Sequence, residues 1–394
     1  MIQRRNLLEA GAALAALSLP LRAHAAQALG PGGAFAAPSP LAAMRATADR
    51  IVDIAVCTRP FRPQGPRIEA ERRHGKTLVH HYGHGGSGWS LSWGSARLAL
   101  PLIAATREPR IAVIGCGAIG LTTARVAQRA GLKVRIYSKD RPPEVASSAA
   151  TGLWTPDSRI CSAEHATPAF AERWEWMARN AFRSYQSLLG LPGHPVEWRD
   201  GYVLSDTPFD QPLEDMPGEP VEPDYPDLEE RLAGLRPRSV ALRPGEHPFR
   251  AAHARRFTQM MFNIGSYQRL LLDDFLREGG LLESREFHHP RELAGLPEKT
   301  IVNCTGYGAR ALFGDTSLVP VRGQTARLVP QPEVDYAVIY RGHHLVALPR
   351  RDGLLVAAQG AHDFGNDDVR PDRAQSAAAV ERLAGLFRAE AAGG

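Results

Sequence analysis

Three glycines follow a short apolar run near the middle of the chain. Residues 111–114 lead directly into Gly115, Gly117 and Gly120, and a helical stretch comes next. Glycines at this spacing allow a tight strand-to-helix turn, a close backbone approach to a pyrophosphate, and close packing of the helix on the sheet. The order therefore predicts a βαβ unit over 111–140 that binds a dinucleotide, with its helix N-terminus facing the phosphates.

An acidic residue about 20 positions beyond such glycines commonly binds a ribose hydroxyl. Asp140 follows the predicted second strand of the unit and is our main candidate for this role. Lys139 occupies the neighbouring position, at which the ribose-binding acid could equally have been expected. The alternative to a dinucleotide site is an ordinary glycine-rich turn, but the strand before the motif and the helix after it favour binding.

Two arginines lie in a proline-rich stretch ahead of this unit. Arg59 and Arg62 are followed by further prolines, the last of them Pro66, which exclude a helix and predict an extended, stiff loop. Such a loop holds guanidinium groups rigidly. The alternative is a surface turn with solvated arginines.

A glycine-packed loop follows at 83–88, between a predicted strand and a predicted helix within residues 78–96. A loop of this kind offers several backbone N–H donors at a helix N-terminus. His81 and His84 have the spacing of a metal pair, but no third ligand stands near them, and the cysteines lack CxxC spacing. We therefore expect no metal site.

The elements that must position these residues follow from hydrophobic periodicity and turn chemistry. We expect helices over 41–54, 167–190, 266–279 (with Ser266 as N-cap) and 374–388, and strands over 253–262, 299–305, 323–328, 336–340, 344–348 and 354–359, with a hairpin turn at 351–353.

Composition indicates a globular protein. The chain has 394 residues, of which 44% are hydrophobic and 23% charged, and a formal net charge of +5. Its arginines are not interleaved with aromatic residues along one helix, so we expect no nucleic-acid partner. No apolar run is long enough for a transmembrane helix in the mature protein.

The N-terminus resembles an export signal. Arg4 and Arg5 precede an apolar stretch over 10–21, and 23–25 read Ala-His-Ala, a small-x-small cleavage site. We expect a twin-arginine signal peptide over 1–25, an Ala/Gly/Pro-rich linker over 26–40, and a periplasmic or secreted protein. An amphipathic helix is the alternative.

Several motifs together resemble the FAD-dependent D-amino-acid oxidase family. They are IAVIGCGAIGLTTA, ATGLWTP, SYQRLLLDDF, NCTGYGARAL with VRGQTARL, RPFRPQGPRIE and HYGHGGSGWSLSWGSA. In that family the glycine motif opens the chain and the last two motifs close it, whereas here those two come first. The order is therefore interpreted as a circular permutation, which is physically reasonable because domain termini often lie close together. A mis-assembled gene is the alternative.

The resemblance implies an α/β fold with a Rossmann-like FAD-binding domain and a second, mainly antiparallel β substrate domain. The FAD-binding domain would comprise 41–165 (the permuted closing segment 41–100 plus the βαβ unit) and 266–322. The substrate domain would comprise 166–265 and 323–375, with a C-terminal helix and tail over 376–394.

The resemblance also implies roles for individual residues. Arg59 would pair with the substrate carboxylate, and the Gly86 carbonyl would accept a hydrogen bond from the substrate amine. The implied FAD-binding residues are Gly115, Gly117, Ala118, Ile119, Gly120, Lys139, Asp140, Thr151, Gly152, Leu153, Phe287, Gly306, Gly85, Ser87, Gly88, Trp89 and Ser90.

The sequence departs from the family at the active-site tyrosines. None occurs over 248–257, the stretch in which the resemblance would place them. His253, Arg255 and Arg256 in that stretch would hold a second carboxylate and favour an acidic amino acid, or they are plain surface residues. The expected function is an exported oxidase that deaminates a D-amino acid, with O2 or another electron acceptor. A flavin dehydrogenase and a non-catalytic flavoprotein are the alternatives, while enantiomer and oligomeric state stay open.

Overall fold

The computed structural model describes residues 41–213, 222–360 and 362–387. The predicted signal peptide, the linker and the end of the predicted tail lie outside these residues. The strands of the described part are β1 (Ile51–Phe61), β2 (Arg67–Arg73), β3 (Lys76–Tyr82), β4 (Arg110–Ile114), β5 (Lys133–Ser138), β6 (Val196–Ser205), β7 (Val240–Leu242), β8 (His253–Phe262), β9 (Leu281–Ser284), β10 (Thr300–Asn303), β11 (Val319–Leu328), β12 (Tyr336–Tyr340), β13 (Leu345–Arg350) and β14 (Gly353–Ala358). The α-helices of the described part are α1 (Gly88–Ala104), α2 (Ala118–Arg129), α3 (Pro168–Gln186), α4 (Ile264–Arg277), α5 (Ala309–Phe313) and α6 (Arg373–Gly385).

A six-stranded sheet carries the predicted βαβ unit, in the order β2-β3-β10-β4-β5-β9. The pairs from β3 to β9 are parallel, and β2 joins the edge in antiparallel orientation. Ile111 and Val113 of β4 belong to the large core that includes α1, α2, α3 and α4, whereas Ala112 and Ile114 face a second core. Apolar residues on both faces of a parallel strand are typical of a sheet covered on both sides.

The second sheet has eight strands in the order β1-β11-β14-β13-β12-β6-β8-β7. Its pairs are antiparallel except for β6 and β12, which run parallel. A Rossmann-like α/β unit with a second, mainly antiparallel sheet is therefore confirmed as the fold class.

One short connector and one contact between distant elements are relevant to the order in which the elements follow along the chain. Helix α1 ends at Ala104 and β4 begins at Arg110, so a short connector joins the glycine loop's helix to the first strand of the βαβ unit. At the other end of the described chain, α6 contacts the 3-10 turn Ala48–Arg50 that immediately precedes β1.

Most expected elements are confirmed, among them the βαβ unit, the strand over 253–262, the hairpin turn after Arg350 and the helix within 167–190. The helix expected over 41–54 is wrong. Apart from the turn Ala48–Arg50, that stretch is irregular up to Ile51, where β1 begins. The cap expected at Ser266 is also wrong, since α4 begins at Ile264 and Asn263 is its N-cap.

The position of β1 changes the division between the two sheets. Residues 41–100 were expected to close the FAD-binding domain as one segment, but β1 pairs with β11 in the eight-stranded sheet. The six-stranded sheet receives β2 and β3 from this segment. Cross-strand pairing with residues about 270 positions away, such as Ala55 with Thr325, overrides the local apolar spacing. None of the described helices is long and apolar enough to cross a membrane.

Candidate active site

The turn between β4 and α2 has the geometry that the glycine motif predicts. Gly115 has a φ of 106°, and a Cβ at this position would lie 2.6 Å from the carbonyl oxygen of Cys304. The Ala118 N–H donates to Ser147 Oγ at 3.0 Å, and Gly117 at the N-cap supplies no side-chain acceptor. The helix N-terminus therefore keeps its positive dipole end available to an anionic group.

A second helix begins beside the first. Trp89 at the start of α1 donates its indole N–H to the backbone oxygen of Ser147 at 2.9 Å, so Ser147 links the N-termini of α1 and α2. Ser87, the N-cap of α1, makes no side-chain capping bond, and a Cβ on Gly88 would have open space around it. These features fit a dinucleotide cofactor, because two helix N-termini whose N-cap residues make no side-chain capping bond lie next to closely approached backbone.

The segment after the βαβ unit connects the two sheets. The Phe262 N–H donates to Gly152 O at 2.6 Å, and Leu153 forms a β-bridge with Met261. The Leu153 side chain packs on apolar residues of the eight-stranded sheet, with Phe257 and Val346 at the margin of that cluster. Gly152 and Leu153 therefore lie against β8 of the eight-stranded sheet, in the segment that follows β5 of the six-stranded sheet, and Thr151 precedes them directly.

The candidates for the adenosine end are arranged around the end of β5. Lys139 is exposed and Asp140 is half-buried, with Lys139 Nζ 3.9 Å from Asp140 Oδ2 and 3.7 Å from Glu286 Oε1. Phe287 packs edge-to-face on Tyr137 with ring centroids 6.1 Å apart. Gly306, with a φ of 57°, follows β10 two residues after Cys304. Both Lys139 and Asp140 remain candidates for the ribose contact.

Arg59 lies on β1, opposite Val321 of β11. Its Nη1 donates to the backbone oxygen of Arg322 at 3.0 Å, and no carboxylate of a described residue pairs with it. Burial lowers the pKa of this guanidinium, which nevertheless stays charged because arginine is so strong a base. Arg59 is thus a half-buried cation with donors available for a carboxylate.

The glycine loop contacts the Arg59 strand directly. The Gly85 N–H donates to Pro60 O at 3.0 Å, and the Gly86 N–H donates to Ser158 O at 3.0 Å. The Ser87 hydroxyl donates to the same Ser158 oxygen at 2.8 Å, and Ser90 Oγ accepts the Thr155 N–H at 2.8 Å. The structure therefore brings Arg59, Gly86 and the start of α1 together, as the motifs predict.

The three residues proposed for a second carboxylate lie elsewhere. His253, Arg255 and Arg256 begin β8, the seventh strand of the sheet in which β1 is the first. Arg256 is exposed, and Arg255 donates to Ser239 Oγ at 3.1 Å and to Ser239 O at 3.2 Å. The structure does not bring these side chains to Arg59, which agrees with the plain surface interpretation.

A charged group that the sequence interpretation missed lies near Arg59. Arg159 forms a two-fold ion pair with Glu222, and Tyr225 and Gln359 also hydrogen-bond to that carboxylate. Arg159 is 63 residues from Glu222 and 200 from Gln359, so no local motif connects them. The one local indication was the position of Arg159, shortly after the ATGLWTP segment.

The two histidines considered as metal ligands form a different contact. His81 Nδ1 lies 2.9 Å from Thr123 Oγ1, whose hydroxyl donates to Ile119 O at 2.7 Å, so the ring N–H is the donor. His81 Nε2 then accepts from Ser95 Oγ at 2.5 Å, and Ser95 Oγ accepts from His84 Nε2 at 2.6 Å. Burial lowers the pKa of His84 to about 3 and that of His81 well below its ordinary value. Both rings are neutral and fasten β3 to α1 and α2.

Among the described residues, no group of three or more His, Cys, Asp and Glu side chains is placed to hold a metal ion. The four cysteines all lie in the described part of the chain, where each is buried and free.

Comparison with known proteins gives a family and several relatives. The family model "FAD dependent oxidoreductase" (DAO) matches residues 110–393. A D-amino-acid oxidase of Streptomyces coelicolor is 31% identical over 292 residues, which is 73% of this chain and 80% of that protein. A D-amino-acid oxidase of Rubrobacter xylanophilus is 28% identical over 70% of this chain and 77% of that protein.

Two further matches are more limited. A D-aspartate oxidase of Talaromyces thermophilus is 43% identical over 68 residues, which is 16% of this chain and 18% of that protein. Among solved structures, L-amino acid deaminase from Proteus vulgaris matches with a TM-score of 0.43 at 12% identity, over 64% of this chain and 61% of that chain.

Proposed function

Because the chain belongs to the DAO family of FAD-dependent oxidoreductases, we propose that it oxidatively deaminates a D-amino acid. FAD is the cofactor of this family. The N-termini of α1 and α2 would hold FAD, which would supply a two-electron acceptor for the Cα hydride of the substrate, with O2 as the final acceptor and H2O2 as its product. The imino acid product is then hydrolysed by water to the keto acid and ammonia.

The observation that carries this proposal is the unpaired guanidinium of Arg59. A half-buried arginine without a carboxylate partner among the described residues is suited to bind the substrate carboxylate through two parallel N–H···O bonds. Binding at this point fixes the orientation of Cα, and orientation supplies a large part of the catalysis. The carbonyl of neighbouring Gly86 accepts a hydrogen bond from the substrate amine in this arrangement.

In the same proposal, the N-terminus of α1 stabilises negative charge on the reduced flavin. Its N-terminal backbone N–H groups are free of a side-chain cap at Ser87. A helix N-terminus stabilises negative charge, and reduction of a flavin creates negative charge. No side chain is needed as a base if the substrate amine arrives neutral.

Replacement of Arg59 tests the proposal. Arg59→Gln removes the charge that holds the carboxylate, and we expect kcat/KM to fall by about 100-fold or more because a buried charge pair is lost. FAD content should stay that of the native protein, since Arg59 lies on the substrate side. Arg269→Gln on α4 is the control, because Arg269 is exposed and lies outside the β1–β11 pair that carries Arg59. Full turnover in Arg59→Gln would refute the carboxylate assignment.

The acidic substrate expected from the sequence has limited support. The match to a D-aspartate oxidase spans only 16% of the chain. His253, Arg255 and Arg256 lie apart from Arg59 in the structure, as described above. We therefore propose a D-amino acid without assigning an acidic side chain, and H2O2 release separates an oxidase from a dehydrogenase that uses another acceptor.

We also propose that the chain is a circular permutant of its family. The support is that the family match begins at residue 110, while β1, β3 and α1 ahead of it are integral to the two sheets. The short connector from Ala104 to Arg110 and the contact of α6 with the turn before β1 are what a permutation requires.

Export by a twin-arginine signal is a further proposal, supported by the residues of 1–25 alone. Replacing Arg4 and Arg5 by lysine should keep the unprocessed protein inside the cell, as fractionation and intact mass would show. Normal processing of that variant would contradict this route.

A further inference from the structure

Arg159 brings a second guanidinium close to the Arg59 strand. It has a left-handed backbone, with a φ of 49°, which is uncommon for a residue other than glycine. The Arg159 carbonyl oxygen would lie 2.0 Å from a Cβ on Gly85, and Gly85 is bonded in turn to Pro60, the residue after Arg59. Backbone in this region persists only where its surroundings impose it, so Arg159 is held in place by the glycine loop.

The Arg159 side chain pairs with Glu222 through two of its three nitrogens, and Nη2 also donates to Gln359 Oε1. Arg159 Nε donates to Glu222 Oε2 at 3.0 Å, and Arg159 Nη2 donates to Glu222 Oε1 at 3.0 Å. The Tyr225 hydroxyl donates to Glu222 Oε2 at 2.7 Å, and the Gln359 amide donates to Oε1. Burial alone would raise the pKa of Glu222, but the bonds from Arg159 hold it below its ordinary value. Glu222 is therefore an anion that cancels the charge of Arg159.

The charges around Arg59 can be balanced pair by pair. Among the described ionisable residues, Cys57, Arg159, Asp363 and Glu222 act electrostatically on the Arg59 guanidinium. Burial raises the pKa of the Cys57 thiol, so the thiol is neutral and only the other three carry charge. Arg159 pairs with Glu222, and Asp363 pairs with Arg322 at 3.5 Å. Arg59 alone has no carboxylate partner in the described part of the chain, so the site offers one uncompensated positive charge. This single positive charge matches a substrate that carries one carboxylate.

We propose that Glu222 is a specificity-determining residue of this enzyme. By occupying Arg159 it withholds that guanidinium from a second carboxylate, so amino acids with uncharged side chains are preferred to dicarboxylic ones. The inference rests on the proposed function, since it assumes that Arg59 holds the α-carboxylate. Discrimination by withholding a partner from the wrong ligand is a general route to specificity.

The test is a change of preference in Glu222→Gln. Glutamine keeps an oxygen for the hydrogen bond from Tyr225 but removes the charge, and Arg159 becomes available to the side-chain carboxylate of D-aspartate or D-glutamate. We expect the ratio of kcat/KM for D-glutamate to that for D-glutamine to rise by about tenfold or more, the gain typical of a hydrogen bond to a charged group.

Two variants separate this effect from loosening of the fold. In Glu222→Gln/Arg159→Gln the gain for D-glutamate should disappear, because the second cation is gone. Glu175→Gln on α3 is the matched control, since Glu175 pairs with Arg179 and Arg231 away from the site. An unchanged ratio in Glu222→Gln, or a gain that survives in the double variant, would overturn the proposal.

Binding without turnover keeps this test distinct from that of the proposed function. Malonate and acetate are added to the FAD-loaded wild type and Glu222→Gln, and their affinities are measured by the perturbation of the flavin spectrum. Malonate should gain affinity relative to acetate in the variant by about tenfold. A wild type that oxidises no amino acid would overturn the proposed function. The role of Glu222 would be overturned by a different result, namely the same affinity of malonate relative to acetate in the wild type and in Glu222→Gln.

Discussion

Gly85 lies between the two arginines, and its missing side chain decides how closely they approach. Its backbone N–H is bonded to Pro60, while the Arg159 carbonyl oxygen occupies the place that a Cβ would take, 2.0 Å away. The φ of 54° adds a conformational constraint that side-chain-bearing residues rarely meet. This one position therefore couples the Arg59 strand to the loop that carries Arg159.

We expect Gly85→Ala to destabilise the protein by about 2–4 kcal/mol, from overpacking together with left-handed backbone strain. The free energy of unfolding in urea measures this. Gly131→Ala is the control, because Gly131 has a φ of 86° but nothing within 4 Å of its Cβ position, and it should lose only about 1 kcal/mol. Equal losses in the two variants would show that contact with Arg159 does not limit this position.

Individual site residues could be predicted from the sequence where a local motif requires one particular residue type. The glycines of 115–120 were identified from their spacing, and they form the predicted turn between β4 and α2. Arg59 was identified from a family motif, but it lies on β1 of the eight-stranded sheet and not in the predicted loop. Glu222 was beyond such reasoning because its partners Arg159 and Gln359 are 63 and 137 residues away in sequence. Arg255 was proposed from charge alone, and charge alone does not determine which strand of a sheet a residue occupies.

Helix α1 is held to the six-stranded sheet by a buried polar contact. His81 of β3 and His84 of the glycine loop share the hydroxyl of Ser95, which lies two turns into the helix. Because burial lowers the pKa of both rings, they are neutral when folded and become protonated on unfolding in acid. Since the folded pKa lies below the unfolded value, this stability is present above the ordinary pKa of 6.5 and is lost as the pH falls towards 3.

The free energy of unfolding should accordingly fall by about 1.4 kcal/mol per pH unit for each of these histidines below that pKa. Chemical denaturation between pH 6.5 and pH 4.5 gives the slope. In the double variant His81→Asn/His84→Asn, the free energy of unfolding should fall less steeply with decreasing pH, because the two side chains that take up protons on unfolding are gone. The same slope in the wild type and the variant would show that neither ring takes up a proton on unfolding.

Elements with a strong local pattern were predicted well. The strand over 253–262 and the helix within 167–190 have apolar residues at the proper period, and Thr167 caps the helix by accepting the Phe170 N–H. The helix over 41–54 failed because four apolar residues at helical spacing are outweighed by the pairing of β1 with β11. Such pairing over long separations is not visible in a local window.

The proposed permutation concerns the order of the whole chain. The segment that contains β1, β2, β3 and α1 precedes the βαβ unit, yet it provides Arg59 and one of the two helix N-termini of the site. The family motifs predicted a permuted order from sequence alone. The sequence did not reveal how the segment divides, with β1 in one sheet and β3 in the other.

A rearranged gene tests the permutation. A chain that begins at residue 110, runs to 387 and continues through a short glycine-serine linker into 43–104 should fold, bind FAD and oxidise the same substrates, because α6 contacts the turn before β1. Circular dichroism, flavin content and kcat/KM compare the two proteins. A rearranged chain that is unfolded with several linker lengths would contradict the proposed relationship of the ends.

The central claim is that this chain is an amino-acid oxidase whose substrate is held by Arg59. Anaerobic mixing of the FAD-loaded protein with a panel of D- and L-amino acids measures it most directly, by loss of the oxidised flavin absorbance near 450 nm, a property of the cofactor. The account predicts rapid bleaching by at least one D-amino acid with an uncharged side chain, one H2O2 per flavin when air is readmitted, and slow or absent bleaching in Arg59→Gln. A flavin that no amino acid reduces, or one that Arg59→Gln reduces at the wild-type rate, would contradict it.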